Sequence, residues 1–409
     1  MFNPSATAAL GLAAALVWPC ASTASPSELS FQDALALARQ RAPSLLDAAG
    51  RVAEAQGAVA GSAPWLRDNP TLSAEVGPRR LDDGTRGLQL SLGLAQPFEL
   101  GGKQGARRES ARAGLAREGA EQQDAERRVL GEVAASFLRA LYAREFSRLM
   151  HETEEAARNL ASSASKRFEA GDVPVVDVNV ARVAQARAHA AVVVAEGEEE
   201  ALVSELRAQL GLPLQEPLAV SGALKELSSL PVAKPTGPSE RADIRALESA
   251  LAQAEAELRL GRSQALPDVS VGVRYEKEVD ESAWLGTLSV PLPVFSRGQE
   301  EKVTGEARVR RLRTLLEAAR RTRDVQVEAA RVRDTRRQQA LEVLTRDALP
   351  LLDENESLAR KSYEAGEMDL AGFLLVRRET LETRVALLDS HLQAALARVQ
   401  LAVETGALP

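Results

Sequence analysis

The sequence predicts an α+β fold that is mainly α-helical, with four strands set between long helices and an internal duplication. Aromatic residues make up only 3% of the 409 residues, and Ala, Glu, Arg and Leu are abundant, which is typical of long helices and coiled coils. Two pairs of short segments instead alternate apolar and polar residues, the period of β-strands. The whole order of elements occurs twice along the chain.

A repeated motif marks the two copies. Residues 166–174 (KRFEAGDVP) and 361–368 (KSYEAGEM) share the order basic, aromatic, Glu-Ala-Gly, acidic, and their glycines lie 195 residues apart. Three further pairs have nearly the same spacing: Pro70 and Pro267, Pro97 and Pro293, Gly102 and Gly298. We therefore predict one structural repeat over 25–213, a proline-rich linker over 214–240 and a second repeat over 241–409, each longer than a solenoid repeat.

The first residues have the features of an export signal. The apolar run over 8–18 is too short for a transmembrane helix but suits the hydrophobic region of a signal peptide. Small residues follow it, so we predict a signal peptide over 1–24, although the usual Lys or Arg is missing from its start. Cys20 is a candidate for lipidation, and the alternative is its removal with the signal. No later stretch approaches about 18 consecutive apolar residues, so no transmembrane helix is expected.

Composition and motifs exclude several functions. The net charge is −7 without a basic block, which argues against nucleic acid as a partner. Three scattered histidines cannot form a metal site by themselves, and one cysteine cannot form an intrachain disulfide. The phosphate-binding loop, the His-Glu-x-x-His motif and the Gly-x-Ser-x-Gly motif are all missing from the sequence. We therefore expect no enzyme activity, no cofactor and no metal site.

In the first repeat, helical spacing over 29–62 predicts two helices, with Ser30 as N-cap, Asp33 at the capping-box position and a break at Pro43. Alternation over 71–76 and 88–95 predicts a β-hairpin at about 71–96, with a polar loop over 78–86. A helix over 104–168, about 100 Å long, then precedes a turn at Gly171 and a second helix to residue 210.

The second repeat has the same order. A helix over 241–263 precedes a hairpin at about 268–292, whose strands are expected at 269–275 and 286–292. A long helix over 299–363, kinked at Pro350, leads to the Gly366 turn and a last helix to residue 404. That last helix has a heptad seam that requires a partner helix, with Arg378 as its exception.

Four strands restrict the possible architectures. A single-chain bacterial barrel needs at least about 8 strands, and an open sheet edge is not viable in lipid. Three chains would together supply twelve strands around a water-filled lumen, and two chains would supply eight with a filled interior. The small polar side chains on one face suit a wet lumen. The alternative is a soluble sheet covered by helices.

The duplicated order and the paired turns, Arg167-Phe-Glu-Ala-Gly171 and Ser362-Tyr-Glu-Ala-Gly366, resemble the TolC-like outer membrane efflux proteins over the whole predicted mature chain. The resemblance implies a homotrimer whose twelve-stranded outer membrane β-barrel, in contact with lipid, continues as an α-helical coiled-coil barrel in the periplasm. It implies docking of the turns to a periplasmic adaptor (membrane fusion) protein and, through it, an inner-membrane pump of the RND or ABC type. Residues 96–103 (QPFELGGK) are similar to the corresponding segment of the heavy-metal-cation branch.

The tip of the helices is therefore the candidate site for docking. The candidate residues are those of the two turns: Gly171, Asp172, Val173, Gly366, Glu367 and Met368. Glycine permits the positive φ that such a reversal needs, so these residues also have a purely structural role. Arg167 and Lys361, one turn before the glycines, are candidates for pairing with acidic groups across helices in a closed state.

A charged ring near the tip would select among ions. The resemblance implies an acidic constriction at Asp177. Gly372 and Leu375 stand where relatives often have Asp, so Asp369 or Glu367 would have to supply the second set of carboxylates. The alternative is that these carboxylates are solvated surface groups.

The sequence therefore predicts a passive outer membrane duct that exports solutes, heavy-metal cations or drugs among them. The same architecture would also serve type I protein secretion, and the sequence does not separate the two. A periplasmic coiled-coil protein without a pore remains a third interpretation.

Overall fold

The computed structural model describes residues 27–80, 84, 86–229, 241–278 and 281–407, so the predicted signal peptide and Cys20 lie outside the described residues. The first half contains two short helices, a hairpin and two long helices. They are β1 (Ser27–Leu29), α1 (Phe31–Arg41), α2 (Pro43–Ser62), β2 (Thr71–Arg80), β3 (Arg86–Phe98), α3 (Lys103–Glu169) and α4 (Val175–Gln209).

The rest of the chain repeats helix, hairpin, long helix, glycine turn and helix. Its elements are β4 (Leu218–Val220), α5 (Leu224–Ser228), α6 (Ala242–Ser263), β5 (Val269–Lys277), β6 (Ser282–Ser289), α7 (Gln299–Val343), a π-helical turn (Leu344–Ala348), α8 (Leu349–Glu364) and α9 (Leu370–Thr405). The mainly α-helical α+β class predicted from the sequence is confirmed. None of the helices in the described residues is both long and apolar enough to cross a membrane.

Local sequence signals explain the start of the chain. The Ser30 hydroxyl accepts a hydrogen bond from the backbone N–H of Asp33 at 3.2 Å, as an N-cap does. Pro43 is at the first position of α2, where its missing N–H costs no helical bond. The cap and the break predicted here are both confirmed.

The four long strands form one antiparallel sheet in the order β2-β3-β5-β6. The first hairpin is longer than predicted, because both strands continue into the expected loop and Pro78 pairs with Leu88. A proline is tolerated there because β2 is an edge strand. The second hairpin ends earlier than predicted, at Ser289, since Pro291 and Pro293 cannot donate to a ladder. Val290 and Leu292 therefore lie outside the strand.

The register separates two chemically different faces. Leu94 lies between Leu72 of β2 and Val273 of β5, so the leucine and valine positions share one face. That apolar face is open to the surroundings, whereas Ser91 and Gly93 on the opposite face are buried. The sheet thus exposes its large apolar side chains and buries the two central small positions of its polar face, which inverts the arrangement of a soluble sheet packed on a core.

The proline-rich segment after α4 contains secondary structure that the sequence did not predict. β4 pairs in parallel with β1, and α5 packs against α9. Both border the largest apolar core, which is centred on Phe137 and Leu141 of α3. The interpretation of 214–240 as a plain linker is therefore wrong for residues 218–228, because their apolar side chains complete this core.

The predicted kink at Pro350 takes the form of the π-helical turn immediately before α8. The N–H of Leu349 donates to the carbonyl of Leu344, five residues earlier. Pro350 has no N–H, and in a regular helix its ring would clash with the carbonyl of Arg346. The wider turn relieves that clash while the helix continues.

Candidate functional site: the helical tip

Two glycine turns with the same hydrogen bonds reverse the long helices. The N–H of Asp172 donates to the carbonyl of Arg167 at 2.8 Å, and the N–H of Glu367 donates to that of Ser362 at 2.9 Å. Gly171 has φ 84° and Gly366 has φ 77°, the left-handed conformation that closes a Schellman motif. The repeated Glu-Ala-Gly motif therefore encodes one backbone geometry used twice.

Both turns lie at the same end of the molecule. An apolar core, here called the tip core, brings together Leu160, Ala161, Ala164, Ala181, Ala359, Leu370 and Phe373. These residues come from α3, α4, α8 and α9, so all four helices meet beside the turns. The structure thus unites the two candidate docking segments on one surface.

The candidate docking residues differ in their accessibility. Gly171, Asp172, Gly366 and Glu367 are exposed, whereas Val173 and Met368 are only partly so. The Met368 side chain packs against the tip core. The exposed surface of the turns therefore consists mainly of backbone and of the two carboxylates of Asp172 and Glu367. Met368, in addition, stabilises its own turn.

Two of the candidate gate carboxylates have different local roles. Asp369 is the N-cap of α9, and its Oδ1 accepts the N–H of Gly372 at 2.8 Å. That oxygen is engaged in helix capping, so Asp369 is less free for a gate than expected. Asp177 lies half-buried in the first turn of α4, which begins after Pro174 without a side-chain cap. A carboxylate there is favoured by the helix dipole.

Arg167 contacts an aromatic ring within its own chain. Its guanidinium lies over the ring of Tyr363, 5.5 Å from the centroid. Tyr363 stacks on Phe373 with the centroids 4.8 Å apart, and Arg377 lies 5.9 Å from the Phe373 ring. Arg167 thus makes a cation–π contact within one chain, and its pairing with acidic groups in a closed state stays a prediction. Lys361 is exposed on α8.

Sequence reasoning missed Phe373 and Arg377. Phe373 follows the Gly366 turn, and only tertiary packing brings it onto Tyr363. Its aromatic type in a chain so poor in aromatics was the available signal. Arg377 sits beside the noted heptad exception Arg378, but its position between three other helices was not readable from spacing.

The 96–103 segment connects the two β-hairpins at the ends that adjoin the helices. The Lys103 ammonium donates to Asp268 at 2.7 Å and to the carbonyl of Leu266 at 2.9 Å. The side chain of Lys103 is buried, whereas that of Asp268 remains partly open to solvent. Glu99 accepts from Arg107 at 2.9 Å. The segment therefore has a structural role in joining the sheet to α3.

Each histidine has a protein partner. His151 lies 3.0 Å from Glu196, His189 lies 3.2 Å from Glu154, and His391 lies 2.9 Å from the hydroxyl of Ser228. Among the residues described, no group of three or more His, Cys, Asp or Glu side chains is arranged to hold a metal ion. The described part of one chain therefore contains no such cluster that could serve as a metal-binding site.

Comparisons with known proteins agree with this architecture. The family model described as outer membrane efflux protein matches residues 34–212. The cobalt-zinc-cadmium resistance protein CzcC of Cupriavidus metallidurans is 29% identical over 56% of this chain, and the match spans little more than half of that relative, 55%. The nickel-cobalt-cadmium resistance protein NccC of Alcaligenes xylosoxydans xylosoxydans is 26% identical over 76% of this chain and 72% of its own length.

Solved structures match nearly the whole chain. The CusC crystal structure has a TM-score of 0.77 at 19% identity, covering 94% of this chain and 93% of CusC. The outer membrane channel CmeC of Campylobacter jejuni has a TM-score of 0.78 at 17% identity, covering 92% of this chain and 85% of CmeC. At these identities the likeness concerns the fold, which is the one built from the element order above. The family model, the relatives and the shared fold are all those of outer membrane efflux proteins, to which this chain is similar in sequence and in fold.

Proposed function

We propose that this protein is the outer membrane channel of a tripartite efflux system, a passive homotrimeric duct. The observation that carries the proposal is the open four-stranded sheet with its exposed apolar face. Its edge strands β2 and β6 have no neighbour on their outer sides within the described chain. An open apolar face is unfavourable in water, and unpaired strand edges are unfavourable in lipid unless other chains complete the sheet.

Three chains would complete this sheet as a twelve-stranded barrel. The exposed leucines and valines would then contact lipid, with Leu72 78% and Leu288 71% exposed in the single chain. The small polar positions at Ser91 and Gly93 already lie on the covered side, where a lumen would be. Twelve strands leave room for water, whereas eight would be filled by side chains.

The helices carry two further unpartnered apolar stripes. On α4 the stripe comprises Val176, Val180, Val183 and Val194, and on α7 and α8 it comprises Val325, Val332, Val343, Leu351 and Leu358; all are exposed. Their spacings of 3, 4, 7, 8 and 11 residues keep each set on one helix face. Contact of each α4 stripe with the α7 and α8 stripe of the next chain would close a ring. The same contacts would extend the barrel as a helical tunnel.

The test of assembly is a charge placed within one stripe. Val332→Asp should convert a trimer in mild detergent into monomers of unchanged helical circular dichroism, because a carboxylate cannot be buried unpaired at an interface. Val332→Thr keeps the shape without the charge and serves as the matched control, which should remain trimeric. A wild-type protein that is a soluble monomer would contradict the duct itself.

The exposed turns at the tip are proposed to dock a periplasmic adaptor, which connects the duct to an inner-membrane pump. Support comes from their common surface and from the exposed carboxylates of Asp172 and Glu367. Replacing both acids by Asn and Gln should weaken capture of the adaptor without changing trimer mass. Two exposed acids farther along α4, Glu198 and Glu200, provide a matched control pair.

The exported solute is proposed to be a heavy-metal divalent cation. The support is the similarity to CzcC, a cobalt-zinc-cadmium resistance protein, and to NccC, a nickel-cobalt-cadmium resistance protein. A strain lacking this protein should lose resistance to these cations, and wild-type protein but not Val332→Asp should restore it. Restored resistance to organic drugs alone would identify another solute class.

Asp177 is proposed to contribute to cation preference at the tip. Its carboxylate lies in the first turn of α4, close to the Gly171 reversal. Asp177→Asn should lower the cation-to-anion permeability ratio of the trimer in planar bilayers while trimer mass stays constant. An unchanged ratio would assign Asp177 to helix stabilisation only.

A further inference from the structure

A cavity of about 570 Å³ lies between α3, α4 and α9, beside the tip core and away from the sheet. Its walls are mostly aliphatic, with Leu149 and Leu160 of α3 facing Leu374 and Leu381 of α9. This volume is within the range of about 300–1,000 Å³ that small-molecule sites occupy. The space is therefore large enough for a ring-sized organic molecule.

The charged groups of this cavity are unbalanced. Four arginines line it, Arg187, Arg377, Arg378 and Arg384, against one carboxylate, that of Glu356. Glu356 is already engaged, since it accepts from Arg384 at 2.8 Å and lies 3.7 Å from Arg360 outside the cavity wall. Positive charge consequently exceeds negative charge in a mainly apolar enclosure.

Arg377 is the least compensated of these cations. Within the described residues, no carboxylate lies within 4.0 Å of its guanidinium. The guanidinium instead makes a cation–π contact with the face of Phe373. Loss of hydration lowers the pKa of Arg377, and the neighbouring Arg360 and Arg384 act in the same direction against Glu356. A half-buried cation in this state gains strongly from an added anion.

A second cavity, of about 820 Å³, adjoins the first and extends towards the turns. Both are lined by Arg377 and Arg384, which therefore stand where the two spaces meet. An anionic group at this point could contact both guanidinium groups, while an apolar body would lie among the leucines. Neither an uncharged molecule nor a bare inorganic anion would use both features.

We propose that this cavity is a binding site for amphipathic organic anions, with a carboxylate or sulfonate between Arg377 and Arg384 and the apolar body between α3 and α9. The site lies within one chain and is independent of which solute the duct exports. It gives the helical wall a ligand of opposite charge to the metal cations discussed above.

The experiment uses the full chain in a non-ionic detergent and the fluorescent probe 2-naphthalenesulfonate. We expect saturable binding of one probe per chain, weakened at least tenfold by Arg377→Met, which keeps the length of the side chain but removes its charge. Arg377→Lys should retain part of the affinity. Arg331→Met removes an exposed arginine of α7 and should leave binding unchanged. Glu356→Gln should tighten binding several-fold, because it removes the nearer of the two carboxylates that contact Arg384, at 2.8 Å against 3.4 Å for Asp353.

Two further probes separate the amphipathic site from simpler explanations. Methanesulfonate has the charge without the apolar body, and 2-naphthalenemethanol has the body without the charge; neither should displace the bound probe at equal concentration. Displacement by either one would overturn the proposal, as would non-saturable binding or equal affinity in Arg377→Met. Opposite effects of Arg377→Met and Glu356→Gln would establish it, since a general loss of packing would weaken binding in both variants.

Discussion

The two long helical hairpins share a sequence motif and a turn but differ in how much of them the chain itself covers. In α3, 20 of 67 residues are buried, against five of 45 in α7. α3 packs against α1, α2, α4, α6 and α9, whereas the main neighbours of α7 are α6 and α9. The first helical hairpin therefore contributes α3 to the core, whereas α7 of the second hairpin is largely exposed.

This difference shows that duplication preserved the turn and not the environment. The middle of α3 carries Phe137, Leu138 and Leu141, which are fully buried against α1 and α4. The middle of α7 is rich in arginine, and Val325 and Val332 there are exposed. Stability of the single chain should therefore depend more on α3 than on α7, whose exposed stripe is available for assembly.

The largest expected effect is in α3. Phe137 is fully buried and packs edge-on against Phe31, with the ring centroids 5.6 Å apart. Phe137→Ala should lower the free energy of unfolding by about 3–5 kcal/mol through lost burial and a cavity. Urea unfolding followed by helical circular dichroism measures it. Val325→Ala on exposed α7 should change the free energy of unfolding of the monomer by less than about 0.5 kcal/mol. Equal losses of stability in the two variants would contradict the difference between α3 and α7.

The next effect should be the same in both hairpins. An added Cβ at Gly171 or Gly366 would meet no atom within 4 Å, so only the left-handed backbone opposes a side chain. Gly171→Ala and Gly366→Ala should each cost about 1–2 kcal/mol, measured by the same unfolding curves. A much larger loss in one variant would mean that its turn is constrained by contacts that the other lacks.

A smaller effect should separate the two turns again. Asp369→Ala removes the N-cap bond to Gly372 and should cost about 1 kcal/mol. Asp177→Ala removes a carboxylate from the first turn of α4 without a capping bond, so a loss of a few tenths of a kcal/mol is expected. Asp369→Asn, which keeps the acceptor, should restore most of the stability. Equal losses in the two alanine variants would contradict the assigned cap.

The smallest effect concerns pH and the attachment of α9 to α5. Burial, with a contribution from the charge of Lys225, lowers the pKa of His391 below its ordinary 6.5. The unfolded chain therefore takes up the proton first, so this contribution is complete above pH 6.5 and is lost as the pH falls below it. Unfolding midpoints between pH 7.5 and 5 should decline less in His391→Gln than in wild type. An equal decline in His391→Gln and in wild type would contradict this assignment.

Much of the fold was readable from the sequence because it rests on local signals. Ser30, Pro43 and the two Glu-Ala-Gly turns act through backbone hydrogen bonds within a few residues. The apolar and polar faces of the strands follow from a period of two, and pairing places them as the alternation indicates. Hairpin ends were less accurate, because edge position and prolines beyond the pattern decide where a ladder stops.

The candidate site was only partly readable for a different reason. Spacing identified the turns, but it gave no sign that Arg167 lies over Tyr363 within one chain. Asp369 was assigned to a gate and caps α9. The small strand and helix at 218–228 were hidden by prolines, since their stability comes from contact with residues nearly 200 positions away.

The sequence by itself determined the repeated order of helices and strands, the positions of the reversals and the chemical character of each face. Periodicity and glycine conformation are properties of a few neighbouring residues, so no knowledge of the whole chain is needed. Only the tertiary structure decided which faces remain uncovered, that the Arg377 guanidinium is partly dehydrated, and that both turns lie at one end. These depend on which distant helices pack together, and burial and charge compensation are fixed only by that packing.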